Sequence, residues 1–198
     1  MKQIESTNAK PSKRLYRSII SDYDLNRSMS ELIDNAIDIS LKNKTQRQYS
    51  IEITINVDQQ TIKVKDNVGG LRFEELKFIV APGYSNNDPN DEVIGFFGVG
   101  SKRAVVALAE EIKIFTRFSD EKTYMLTYND LWLEKEEDWE LPTFEVEDIE
   151  KGTTIIELIK LRYHVNHKMV EELKDYLSIV YSKFLLKKTI DIKVNDDS

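Results

Sequence analysis

The chain has 198 residues, a formal net charge of -7, 40% hydrophobic and 32% charged residues, and no cysteine. That length fits one domain with a substantial core, and the missing cysteine excludes disulfides and thiolate metal sites. The acidic balance argues against a general nucleic-acid or anionic-membrane surface, and no stretch reads as a leader or a membrane span, so a cytoplasmic protein is the expectation.

Residues 12–44 read mostly as helix, interrupted near Asp22-Tyr23-Asp24, with Asp24 or Asn26 as the cap of the second part. An alternating strand follows, with Ile51, Ile53, Ile55 and Val57 on one face, then a turn at Asp58-Gln59-Gln60 into a second strand over 61–66. A short helix is predicted over 73–80, and a long loop rich in turn formers over 81–94. Next come a helix from Ser101 to Ala109 and a hairpin pairing 112–118 with 122–128. The acidic run Glu134–Glu140, flanked by Trp132 and containing Trp139, reads as a solvated excursion. A β-branched strand over 153–159, an amphipathic helix over 168–186 and a strand over 189–194 complete the order. Helices packed on one face of a mixed, mostly antiparallel sheet are the expected α/β (α+β) architecture. The stop at Ser198, just past strand-like residues, suggests one domain over 1–198 at the N-terminal end of a longer protein.

Four constellations carry chemistry. The first is Glu31-Leu32-Ile33-Asp34-Asn35-Ala36-Ile37-Asp38, where Glu31, Asn35 and Asp38 form one stripe on an otherwise apolar helix. Burying an unpartnered amide-like group costs roughly 2–7 kcal/mol, so the stripe faces either water or something polar held by the protein. The second is Asp66-Asn67-Val68-Gly69-Gly70, a strand that ends in a carboxylate and turns into a glycine pair. Such a carboxylate can accept a hydrogen bond from an exocyclic amine, although an ordinary turn has the same composition. The third is Gly95-Phe96-Phe97-Gly98-Val99-Gly100-Ser101-Lys102-Arg103, a glycine loop entering a helix. Successive N–H groups there can cradle an anion. Lys102 and Arg103 fall in the first helical turn, the wrong sign for the macrodipole, so they either face a polyphosphate or splay into solvent. The fourth is Gly152-Thr153, which can set a hydroxyl at the start of a buried strand. No Walker A pattern occurs, and His164 and His167 read as surface residues.

In this order the four resemble the GHKL superfamily of ATPases (gyrase, heat-shock chaperone, histidine kinase, MutL), with the Ile94–Ala104 stretch closest to the chaperone- and MORC-like branch. The resemblance implies a Bergerat fold, a two-layer sandwich that binds ATP and Mg²⁺ under a lid at about 81–97. It implies Glu31 as the general base, Asn35 as the Mg²⁺ ligand, Asp66 as the reader of the adenine amine and Thr153 as its supporting hydroxyl. Gly70, Gly95, Phe97, Gly98, Val99, Gly100, Ser101 and Lys102 fall to the nucleotide, and Asp38 shares the motif. Val68 stands at a usual glycine position, and Tyr84-Ser85-Asn86-Asn87 carries no lysine. The implied function is slow, Mg²⁺-dependent ATP hydrolysis that drives lid closure and self-association, weak in isolation, within a larger switch protein with downstream domains or partner proteins. The alternatives are a non-hydrolysing nucleotide sensor and a histidine-kinase-like phosphotransfer domain. Neither a membrane nor, through this domain, nucleic acid is an expected partner.

Overall fold

Helix-period and strand-period segments meet in one sheet with helices on one of its faces. The computed structural model describes residues 12–18, 23–43, 48–81, 100–136, 138–187 and 189–195. In chain order these form α1 (Arg14–Arg17), α2 (Leu25–Asn43), β1 (Tyr49–Asn56), β2 (Thr61–Asp66), α3 (Leu76–Val80) and α4 (Gly100–Leu108). Then come β3 (Ala109–Arg117), β4 (Thr123–Asn129), α5 (Asp130–Glu134), β5 (Thr143–Val146), β6 (Thr153–Leu161), α6 (His167–Val180), α7 (Ser182–Leu186) and β7 (Ile190–Val194). The strand order is β5-β4-β3-β6-β2-β1-β7. Among the described residues, only the β1–β7 pairing is parallel; the other ladders are antiparallel.

Alternation fixes which face is covered. Ile51, Ile53 and Ile55 of β1, Ile62 and Val64 of β2, Ile112 and Ile114 of β3 and Leu158 of β6 are all buried. They meet Met29, Ile33, Ala36 and Ile37 of α2 and Val170, Leu173 and Leu177 of α6 in one core. The opposite face carries a charge ladder, with Lys65 paired to Glu52 and Glu150, and Lys63 to Glu157. Such exposed pairs are worth well under about 1 kcal/mol each, so they keep this face solvated more than they hold the sheet together.

Side-chain amides finish the edges of the sheet. Asn195 accepts from Ile55 N and donates to Ile55 O, extending the parallel pairing past β7. Gln60 does the same with Val165. Asp24 is the cap of α2, accepting from Arg27 N at 2.8 Å.

Three features differ from the sequence expectation. The helix expected over 168–186 breaks at Tyr181, whose buried hydroxyl donates to Asp34 Oδ1 at 2.7 Å and lies 3.2 Å from Ser30 O. Two short elements, α5 and the edge strand β5, carry too few residues to show a period. The excursion at 134–140 is not simply solvated. Glu134, Asp138 and Glu140 are exposed, but the backbone here and the two indoles clasp the segment before α1. Lys13, with 0% of its surface exposed, donates to Trp132 O at 2.8 Å and to Asp138 O. Its ammonium lies 3.5 Å from the centre of the Trp132 ring and 5.4 Å from that of Trp139. Arg14 pairs with Glu136, and the Tyr16 ring lies against both indoles while its hydroxyl donates to Val80 O.

This clasp can be read spectroscopically, because the chain's 2 tryptophans both belong to it. Lys13→Ala takes the ammonium from Asp138 O, while Trp132 O keeps Lys135 N, a loss of about 1–3 kcal/mol if the Asp138 carbonyl stays buried. The expected result is a red shift of the tryptophan emission at temperatures where the far-UV circular dichroism remains native. Unchanged emission would show that the ammonium does not hold the indoles in place.

Candidate functional site

Helix period sends the core residues of α2 toward the sheet and turns Glu31, Asn35 and Asp38 to its other side. The three differ in burial: Glu31 is half-buried, Asn35 is exposed and Asp38 is only 3% exposed. Glu31 is directed at the first residue of α4. A Cβ built on Gly100 would stand 1.8 Å from Glu31 Oε2 and 3.1 Å from Oε1. The carboxylate thus rests on the bare Cα of a helix N-terminus, where its negative charge is favoured by the helix dipole.

Lys102 and Arg103 do not splay into solvent. Lys102 is 2% exposed, and burial pulls its ammonium down to about 8. Arg103 is half-buried, with its Nε enclosed and unpartnered among the described residues. Cationic side chains drawn inward at a helix start are costly unless negative charge lies nearby. Ser101, between Gly100 and Lys102, is half-buried.

The other wall is the end of β2. Residues 62 and 64 lie on the apolar face, so the same alternation carries Asp66 onto that face where the helix layer gives out. Part of the residue remains exposed, but the carboxyl group is walled in, and burial pushes it up to about 7 against the lowering hydrogen bond from Val68 N. The register sets Asp66 opposite Thr154, and Thr154 opposite Thr116. Their hydroxyls are 3.1 Å apart, and Thr116 Oγ1 accepts from Leu71 N at 2.8 Å. Thr153, the residue singled out from the sequence, is buried one position earlier in β6, where alternation turns it to the opposite face of the sheet, and its hydroxyl has no partner among the described residues.

The glycine pair has a geometric reason. Gly70 adopts φ +67, and a Cβ there would lie 2.1 Å from the Arg117 carbonyl oxygen. Gly69 N donates to Gly152 O, and Gly152 N to Arg117 O, both at 2.9 Å. This clip joins the turn after β2 to the start of β6. Val68 is buried in the core, so the departure at that position is accommodated by packing its side chain inward while its N–H serves Asp66.

Glu31 and Gly100 are therefore brought together by α2 and α4, with Lys102 in the same helical turn, while Asp66 lies at the end of β2 with Thr154 opposite it. Gly95, Phe97, Gly98 and Val99, and the expected lid beyond Ala81, lie outside the described residues. His164 and His167 are exposed, as expected. Sequence reasoning missed Thr116 and Thr154, which only the strand register brings to Asp66. It also missed Tyr23, which lies 8 residues before Glu31 and whose hydroxyl is 3.5 Å from Glu31 Oε1. No helix among the described residues is long and apolar enough to cross a membrane.

The sequence model of the family described as histidine kinase-, DNA gyrase B-, and HSP90-like ATPase matches residues 23–163. Among solved structures, the ATPase region of Saccharomyces cerevisiae topoisomerase II bound to ICRF-187 (dexrazoxane) shares this fold with a TM-score of 0.65 at 15% sequence identity. The likeness covers 88% of this chain and 48% of that one, so the chain spans about half the length of that structure. Comparison with curated proteins gave no match.

Two stability outcomes follow from the site. Gly70→Ala meets a backbone carbonyl in a left-handed conformation and is expected to cost about 2–4 kcal/mol. Gly100→Ala meets only the movable end of Glu31 and is expected to stay within about 1 kcal/mol of wild type; urea melts of both check the contrast. Asp66 holds its proton in the native state where the unfolded chain has released it. Its contribution is fully present below pH about 4 and is lost as the pH rises through about 7. Asp34, raised to about 6 chiefly by burial, acts with the same sign. Asp66→Asn is therefore expected to flatten the fall in stability between pH 5 and pH 8. At pH 8 the variant should be more stable than wild type by on the order of 1–3 kcal/mol, as measured by denaturant melts at the two pH values.

Proposed function

Because the chain belongs to the family of histidine kinase-, DNA gyrase B- and HSP90-like ATPases, we propose that this domain binds ATP with Mg²⁺ and hydrolyses it slowly, Glu31 serving as the general base. The observation that carries the reading is the approach of the half-buried Glu31 carboxylate to the N-terminus of α4; the buried carboxyl of Asp66 at the end of β2 supports it. An adenine amine donates to Asp66, adding to the single hydrogen bond from Val68 N that now offsets the desolvation of that carboxyl; the resemblance gives Thr153 the role of supporting hydroxyl. The phosphates extend toward Gly100, Ser101 and the cations Lys102 and Arg103, with Gly95, Phe97, Gly98 and Val99 completing the loop.

Among the described residues no three His, Cys, Asp or Glu side chains converge as a metal site. A magnesium ion suits the residues present if it arrives with the phosphates and water and takes one protein oxygen, from the exposed Asn35 amide one turn beyond Glu31. When bound, it neutralises charge on the phosphate oxygens. Glu31 then accepts the proton of the attacking water as that oxygen bonds to the γ-phosphorus. The bond to the bridging oxygen breaks, and ADP leaves with the electron pair. Asp38, buried one turn past Asn35, belongs to the same motif on α2.

Lid closure over about 81–97, self-association on ATP binding and work on a downstream domain or partner protein belong to the same reading. So does a cytoplasmic location. The nearer kinship to the chaperone- and MORC-like branch rests on residues 94–104 alone. The phosphotransfer alternative gains no observation from the exposed His164 and His167.

Glu31→Ala is expected to retain ATP affinity and lose turnover by about 10²-fold or more. Asn35→Ala is expected to abolish the Mg²⁺-dependent part of ATP affinity. Titration calorimetry with and without Mg²⁺, together with phosphate release, measures both. Wild-type turnover in Glu31→Ala would remove the role assigned to that residue.

A further inference from the structure

The Glu31 carboxylate has a different neighbour at each oxygen. Oε2 lies on Gly100 at the start of α4, and Oε1 faces the Tyr23 hydroxyl at 3.5 Å. Tyr23 does not reach that point by chance of a mobile side chain. It is only 8% exposed, and its ring packs with Ala104 and Ala107 of α4 in a small cluster separate from the main core. Two alanines, one turn apart on that helix, leave room for an aromatic ring between α2 and α4. On the outer side the Arg27 guanidinium lies 4.8 Å from the centre of the Tyr23 ring. Burial raises the phenol's pKa, and the Glu31 charge adds to the rise while Arg27 and Arg103 oppose it, so the hydroxyl stays protonated and can donate.

We propose that Tyr23 is a positioning residue for Glu31, its hydroxyl steering Oε1 so that Oε2 is presented at the N-terminus of α4, where the reacting water and phosphate meet. The inference rests on the reading of Glu31 as the general base and adds a second residue to it. A carboxylate on a long side chain has several rotamers, and general-base catalysis needs the one within hydrogen-bond reach of the water. Gly100 supplies one wall of that seat by having no side chain. Tyr23 supplies the donor that selects the rotamer. The hydrogen bond is long in this structure, as catalytic contacts often are before substrate tightens the site. Removing the hydroxyl while keeping the ring therefore affects the orientation of Glu31 without disturbing the contact between α2 and α4.

The test is a double-mutant cycle of Tyr23→Phe and Glu31→Ala in the full chain, read by steady-state ATP turnover and by ATP affinity. Tyr23→Phe is expected to lower kcat about ten-fold, with KM and the dissociation constant for ATP unchanged, and to have no further effect in the Glu31→Ala background. Wild-type kcat in Tyr23→Phe, an equal loss in both backgrounds, or a change confined to KM would overturn the proposal. Wild-type turnover in Glu31→Ala would instead overturn the assignment of the base. If turnover of the isolated domain is too slow to resolve, the same cycle is read in urea. A non-additive shift in midpoint is then expected, and additive shifts overturn the proposal.

Discussion

Packing of α2 against the apolar face of β1 and β2 is the constraint from which the rest follows. Met29, Ile33, Ala36 and Ile37 have to be buried together, and a helix has no freedom to rotate once they are. Glu31 and Asn35 are thereby committed to the far side. What they meet there depends on α4, whose Gly100 lets the Glu31 carboxylate approach within contact of the main chain. Tyr181, at the break between α6 and α7, fixes the same helix from another direction through Asp34 and Ser30. One buried face thus orients an acid that lies outside the core.

The site sits where the sheet's own rules produce conflict. Alternation that buries Ile62 and Val64 carries Asp66 into the same environment, and the carboxyl responds with a raised pKa. An apolar residue at that position would suit the fold better, and the proposed nucleotide reading gives the carboxylate a donor there. Gly70, Gly152 and the Gly69–Gly152 hydrogen bond hold the adjoining turn close to Arg117, which prevents the strand end from relaxing away from the conflict. Inward-drawn Lys102 and Arg103 represent the same pattern with opposite charge.

The segment before α1 shows how a polar excursion becomes structural. Charge alone makes 134–140 look solvated, and Glu134, Asp138 and Glu140 are indeed exposed. Its contribution to the fold comes from backbone carbonyls and two indoles, which a charge count does not register. Lys13 supplies the ammonium that satisfies both. Through Tyr16 and Val80 the clasp also touches the end of α3, the last described element before residue 82.

The local rules written along the chain were legible without coordinates. Helix and strand periods gave most of the elements, and the spacing of Glu31, Asn35 and Asp38 marked the face of α2 turned away from the core. The order of that motif with Asp66, Gly70, Gly100 and Thr153 carried the resemblance to GHKL ATPases, and the resemblance implied a nucleotide site; motifs are legible because backbone freedom and polar spacing are short-range properties. α5 and β5 were too short to carry a period, and the helix break at Tyr181 is set by a hydrogen bond to a helix 147 residues away. Thr116 and Thr154 reach Asp66 only through strand register, and Tyr23 meets Glu31 only because Ala104 and Ala107 make space for its ring. Sequence determined which groups could do chemistry; tertiary structure decided which oxygen of Glu31 faces which neighbour, since that depends on packing between segments far apart in the chain.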